Sequence, residues 1–434
     1  MRLPDSLSPL RERPYRLLWT ARTVSSIGDA LIPITVVFAI LRSGGTAGTV
    51  GEVLTCEALG QVLMLPVGGV WSDRLSRRLV LMTTDAIQAV CYGLLAFMIF
   101  SHHAAAWQFA AVYTVAGMAW AFFVPASSAL VPDLVGGDRL QPANAMLGLS
   151  GSVSSVLGPA AAGVLLAVSS PGTAILIDSG SFVVSFALIA RVHVPPKAEH
   201  SGNRFLADLL GGWRALSARR WYLANLLAYG CSNFALAFVF VLGPVVMQDG
   251  HGGATAWSAI MVTGSVGSII GGLLALRYRP KRPLVTGDLS SVISVLPIVA
   301  IAFTLPTPYI ALGMAVMFSG FSLFNEVWAA TQQQLFPKEI LARITSLDWM
   351  VSLVAMPVGY AAVAPVAQAV GVRTTLVIAA ILVTVPLSLV AFLPGVRSVR
   401  RRADGTVGIV GEAEFETEPE SESGATARTE EAPA

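Results

Sequence analysis

Asp29 and Glu57 are acids set inside long apolar runs, and that placement is the first sign of chemistry in this sequence. An ionisable side chain at mid-bilayer costs at least about 2.5–3.5 kcal/mol, so a retained one is a functional candidate. Asp29 falls near the middle of an apolar run over 17–41, and Glu57 near the middle of one over 47–70. Carboxylates facing one cavity at that depth can bind and release protons. Arg22 precedes Asp29 by seven residues on the same helix face, where it would stabilise the charged form. The alternative for both acids is a structural hydrogen bond to a neighbouring helix. Asp85 and Asp288 lie nearer the ends of their runs, beside basic turns, and read as structural ion pairs. Glu326, flanked by Asn325 and Trp328, is placed to touch a solute. Phe38, Trp120, Phe234, Phe321 and Phe324 are span aromatics suited to lining an apolar cavity, or to packing against lipid and other helices.

The elements that position these residues follow from composition. The chain of 434 residues is 54% hydrophobic and 12% charged, with a mean hydropathy of +0.69. Apolar runs of 18 or more residues recur, long enough to cross a hydrocarbon core as helices. They do not alternate apolar with polar, which excludes barrel strands. Twelve such runs between residues 17 and 393 predict an all-α membrane protein, and the runs over 17–41 and 283–305 are each drawn as one continuous helix. Basic residues orient it. With the N-terminus cytoplasmic, only Arg42 and Arg373 of the 28 Lys and Arg residues fall outside, while Arg22 sits within the first helix. Both termini are then cytoplasmic.

An internal repeat divides the chain. An offset of 203 residues lays Gly68-Gly69 on Gly271-Gly272, Arg74 on Arg277, Arg78 on Lys281 and Asp85 on Asp288. Duplicated halves of this kind are a transporter architecture. Residues 1–192 form an N-terminal six-helix half and 221–395 a C-terminal one, as two pseudo-symmetric bundles. Between them, 193–220 is a cytoplasmic linker, either a surface amphipathic helix or a plain connector. Residues 396–434 form a disordered cytoplasmic tail, with nine acidic residues after position 403.

Two motifs stand out. Gly69-Val-Trp-Ser-Asp73-Arg74-Leu-Ser-Arg77-Arg78 joins the second and third spans and holds the charges for an ion-pair network that breaks when the halves rock. Read without gating, it is a positive-inside anchor. In the fifth span, Gly158-Pro159 and Gly163 combine a helix-bending proline with small residues that pack closely. The first motif resembles the G-x-L-A-D-R-x-G-R-K loop of the major facilitator superfamily, with Ser76 in place of the second glycine and Trp71 in place of the leucine. The second is similar to the antiporter motif of its drug-exporting branch, with Ser154 and Ala162 in place of two glycines. The fourth span lacks the arginine that drug exporters often carry there. With Arg22-x-x-Ser25-Ser26-x-Gly28-Asp29 and the Pro132-Asp133…Ala143-Asn144 loop, the chain resembles most the macrolide-efflux and enterobactin-exporter subgroup. The resemblance covers roughly residues 10–395 and implies that Asp73, Arg74 and Arg77 gate the change between inward- and outward-open states.

The expected activity is secondary export of small, partly apolar molecules, such as a drug, antibiotic or siderophore, by proton antiport with alternating access. A proton-coupled nutrient importer and a non-transporting sensor remain open. No enzyme activity, catalytic residue, metal site or cofactor is expected, since no phosphate-binding loop is present and the proton gradient supplies the energy. The partners are a small-molecule substrate, protons and the bilayer of the cell membrane, with no nucleic acid at a net charge of +2, and the chain is expected as a monomer. Cys56, Cys91 and Cys231 read as three buried free thiols.

Overall fold

A computed structural model describes residues 5–102, 104–136, 139–193, 219–248, 251–336, 338–402 and 406–410. Within these, only the backbone is described at 5–7, 66, 68–74, 338–343, 346, 347, 349, 351 and 353. A short 3-10 helix, Asp5–Arg11, leads into α1 (Arg13–Asp29) and α2 (Ile32–Arg42). The first half continues through α3 (Ala47–Arg74), α4 (Arg77–Phe100), α5 (Ala106–Leu134), α6 (Leu140–Val168) and α7 (Pro171–Ile189). The second comprises α8 (Arg220–Gln248), α9 (Gly253–Arg277), α10 (Pro283–Val292), α11 (Val295–Ala302), α12 (Thr307–Leu335), α13 (Lys338–Val370) and α14 (Val372–Ala391).

Ten segments among the described residues are long and apolar enough to cross a bilayer, with α1–α2 counted as one and α10–α11 as another. Two more long helices, α3 and α13, lie where the sequence places the second and eleventh spans. The expected continuous helices over 17–41 and 283–305 are both interrupted, at residues 30–31 and 293–294. Proline explains each break. Its ring clashes with the carbonyl four residues earlier and it cannot donate an amide hydrogen. Pro33 and Pro297 therefore disturb the helix at positions 29 and 293, next to the observed breaks.

Packing repeats between the halves. In the first, α3 packs on α5 and α4 on α7; in the second, α9 packs on α12 and α10–α11 on α14. The halves meet chiefly through α3 against α13 and α6 against α9, positions that the 203-residue offset exchanges. This junction lies toward the end of the molecule away from the basic turns. A Cβ on Gly48 would sit 3.3 Å from Ala364 Cβ, Gly51 packs on the Tyr360 carbonyl, and Thr55 Oγ1 donates to the Pro357 carbonyl at 3.4 Å. One apolar cluster joins both halves there, through residues such as Phe38, Val50, Val239 and Trp257. A second, confined to the first half, holds Tyr15, Leu18, Leu81 and Leu130 at the basic end.

The structure differs from expectation at the C-terminus. Residues 396–410, assigned to the disordered tail, include the end of a short helix α15 (Pro394–Ser398) and an antiparallel pair, β1 (Val399–Arg401) with β2 (Val407–Ile409). Val396, Val399 and Val407 are buried. The Arg401 amide donates to the Lys281 carbonyl at 2.9 Å and the Val407 amide to Gln334 Oε1 at 2.7 Å, so the pair is tied to the α9–α10 turn and the end of α12. The linker over 194–218 and the acidic residues from 411 lie outside the described residues. The cysteines are free, but none is buried: Cys56 and Cys91 are half-buried and Cys231 is exposed.

Candidate functional site

Between the helices of the second half lies a cavity of about 700 Å³, on the basic-end side of the junction. One face of α12 builds much of its wall, because Phe318, Phe321, Asn325, Trp328 and Gln332 recur every three or four residues. Helix α8 adds Tyr229 and Asn233, and α13 adds Asp348 and Ser352. The Asn233 amide donates to the Ser352 carbonyl at 3.2 Å, which bridges α8 and α13 across the cavity.

Aromatic rings form a ladder along this wall. Tyr229 stacks on Phe324 with centroids 4.0 Å apart, Phe324 on Trp328 at 5.7 Å, and Trp328 against Tyr222 at 5.0 Å. Asp348 fixes the ladder's polar edge. Its Oδ2 accepts from Trp328 Nε1 at 2.9 Å and from Gln332 Nε2 at 3.2 Å, while Gln332 also donates to the Tyr222 hydroxyl at 2.6 Å. Glu326 is different: its exposed carboxylate lines the cavity and makes no hydrogen bond or ion pair among the described residues.

The residues singled out for cavity lining separate. Phe321, Phe324 and Glu326 line it. Phe38 is fully buried in the apolar cluster instead. Phe234 packs at a tilt on Phe238, with centroids 5.2 Å apart, and Trp120 lies on α5 in the other half; neither is in the wall. Sequence reasoning missed Asn233 and Tyr229, although the three-to-four spacing along α12 carried a signal for Gln332.

The acids of the first half gather around α1. Asp29 lies deep in the protein yet is accessible, within electrostatic reach of Arg22, Glu57 and Asp85. Arg22 does not pair with it: the guanidinium donates to Ser127 Oγ and lies over the Phe123 ring, 5.0 Å from its centroid. Glu57 accepts from Gln61 Nε2 at 3.5 Å, one helical turn on. Its own carbonyl packs against Gly117. The ion pairs expected for Asp85 and Asp288 are absent among the described residues. Asp85 accepts from Ser185 at 2.6 Å and Asp288 from the Tyr229 hydroxyl at 3.4 Å, and each leaves its other oxygen without a hydrogen bond. Both sit too deep for the basic turns to reach, and neighbouring hydroxyls serve them instead.

At the basic turn, Arg77 Nη1 meets Asp133 Oδ2 and the Ala129 carbonyl, both at 2.5 Å, binding the start of α4 to the end of α5. Arg78 donates to the carbonyls of Ile189 and Ala190, the negative end of the α7 dipole. At Gly69, Asp73 and Arg74 only the backbone is described, as part of α3. In α6, Gly158 and Gly163 are the contact points beside Pro159. A Cβ on Gly158 would overlap Ala30 at the α1–α2 break, and one on Gly163 would sit 2.6 Å from Ser258 Cβ of α9.

Helix pairings that repeat at a fixed offset, a cavity within the second half and a charged turn are the parts of a carrier, and the family model for the major facilitator superfamily matches residues 18–360. The chain belongs to the major facilitator superfamily. As a superfamily member it is a multi-pass cell-membrane transporter and not an enzyme. Macrolide efflux protein A of Streptococcus pyogenes is 24% identical over 371 residues, covering 83% of this chain and 90% of that protein. Enterobactin exporter EntS of Salmonella choleraesuis is 27% identical over 303 residues, covering 67% of this chain and 71% of its own length. Both belong to the subgroup that the motifs resemble. Among solved structures, a mutant form of the nucleoside transporter NupG aligns with a TM-score of 0.73 at 12% identity, over 88% of this chain and 100% of that one, a likeness of fold.

Proposed function

We propose that the chain exports small, partly apolar molecules by proton antiport, with twelve membrane crossings and both termini in the cytoplasm. The observation that carries this reading is the junction between the halves. They meet toward one end, through α3–α13 and α6–α9, while the cavity lies on the side of the basic turns. With those turns cytoplasmic by the positive-inside rule, this is an inward-open carrier ready to load from the cytoplasm. The efflux relatives support the outward direction. Asp29 and Glu57, with Arg22 near Asp29, are the proton-coupling residues. Asp29 is accessible at mid-depth, and Glu57 belongs to α3, which forms the junction with α13. Asp73, Arg74, Arg77 and Arg78 gate the basic end, and the Gly158-Pro159…Gly163 segment carries the α6 crossing.

In everted vesicles, adding a transported drug should discharge a pre-formed ΔpH, and Asp29→Asn should abolish that discharge while leaving the protein folded. Normal proton coupling in the variant would remove Asp29 from the mechanism.

A further inference from the structure

The cavity wall has one kind of charge. Among the described residues, Glu326 and Asp348 are the carboxylates that line it, and no Lys, Arg or His does. The two acids are not equivalent. Asp348 is occupied by the Trp328 indole and the Gln332 amide, so its work is to hold the aromatic ladder in place. Glu326 stands exposed on α12 without a partner among the described residues. The described cation at the start of α8 is already engaged. Arg219, beside the end of α12, donates to the Leu335 carbonyl at 3.1 Å and lies over the Phe336 ring, 4.4 Å from its centroid. An anionic solute in this cavity would lose its water and meet two carboxylates, with no cation among the described lining residues to replace it. A cation would meet Glu326 and the aromatic rings of Phe318 and Phe321, a ring type whose π-system attracts positive charge. The rest of the wall is mostly apolar and accepts a hydrophobic body.

We propose that this cavity selects organic cations with an apolar body, the positive charge being held by Glu326 and the body by the α12 aromatic face. The proposal rests on the reading of this cavity as the transport site and names the class of substrate it takes.

The probes are tetraphenylphosphonium and tetraphenylborate, which share a shape and differ in the sign of their charge. Binding of each to the purified full-length protein is measured by equilibrium dialysis against protein-free micelles, with no gradient, so the result is independent of proton coupling and of direction. Tetraphenylphosphonium should bind saturably and tetraphenylborate should not. Glu326→Gln should weaken the cation at least about tenfold, the scale expected for removing one charge from a partly enclosed site. Glu326→Asp, which keeps the charge, should retain most of the affinity and shows that the loss is not misfolding. Equal binding of the two ions, no saturable binding of the cation, or undiminished affinity in Glu326→Gln would each overturn the proposal. If efflux persists in that event, the exporter reading stands and only the substrate class falls.

Discussion

Arg77 shows how much one side chain is asked to do. It spans two helices, meeting the Asp133 carboxylate and the Ala129 carbonyl at 2.5 Å each, and the pair is only partly shielded from solvent. A partly exposed ion pair contributes little to folding, about 0.2–1 kcal/mol. Its larger effect is positional, since it ties the basic turn to the end of α5. Arg77→Ala should therefore cost at most about 1 kcal/mol in thermal unfolding yet reduce efflux severalfold. Exchanging the charges, Arg77→Asp with Asp133→Arg, should restore part of the activity, and only part because the Ala129 carbonyl loses its donor. Full efflux in Arg77→Ala would remove the turn from gating. Asp133 was visible in the sequence only as part of a loop resemblance. Its partner stands fifty-six residues away, and pairing over that distance is set by how α4 packs on α5.

At the scale of elements, the α6–α9 crossing is limited by side-chain volume. Gly163 leaves no room for a Cβ beside Ser258, whereas Gly151, on the same helix, has nothing within 4 Å. Gly163→Leu should separate α6 from α9 and abolish efflux, while Gly151→Leu should be nearly neutral. Ser258→Gly should recover Gly163→Ala by vacating the contact. Drug resistance in a susceptible host reads all four, and equal tolerance at 151 and 163 would contradict a packing role for the motif. The long apolar helices were readable because apolar length is a property of sequence alone. The breaks beside Pro33 and Pro297 were not drawn, although proline chemistry predicts them, because long apolar runs continue on both sides. Helix rotation was beyond reach. Phe38 and Phe321 are both span aromatics, and only the packing of α2 into the shared cluster, and of α12 along the cavity, separates core from wall. The β1–β2 pair escaped for another reason: three residues per strand are too few to show a period.

For the whole molecule, the repeated pairings make the junction itself two-fold: α3 against α13 is the counterpart of α9 against α6. A carrier with this symmetry can exchange a contact at one end for its equivalent at the other by rocking two rigid halves. If so, the contact near Gly48 and Ala364 must open in every cycle. Their Cβ positions lie 3.3 Å apart, within a few tenths of an ångström of the separation of about 3.5–4.5 Å that a disulfide requires. Gly48→Cys with Ala364→Cys, in a background lacking Cys56, Cys91 and Cys231, should oxidise readily and lock the halves at that end. Efflux should then stop, while tetraphenylphosphonium still enters the cavity from the basic side, and a reductant should restore transport. Each single cysteine should transport with or without oxidant. Continued efflux from fully cross-linked protein would mean that this contact stays closed throughout the cycle, and the rocking of two rigid halves would have to be abandoned for a motion confined to the basic end.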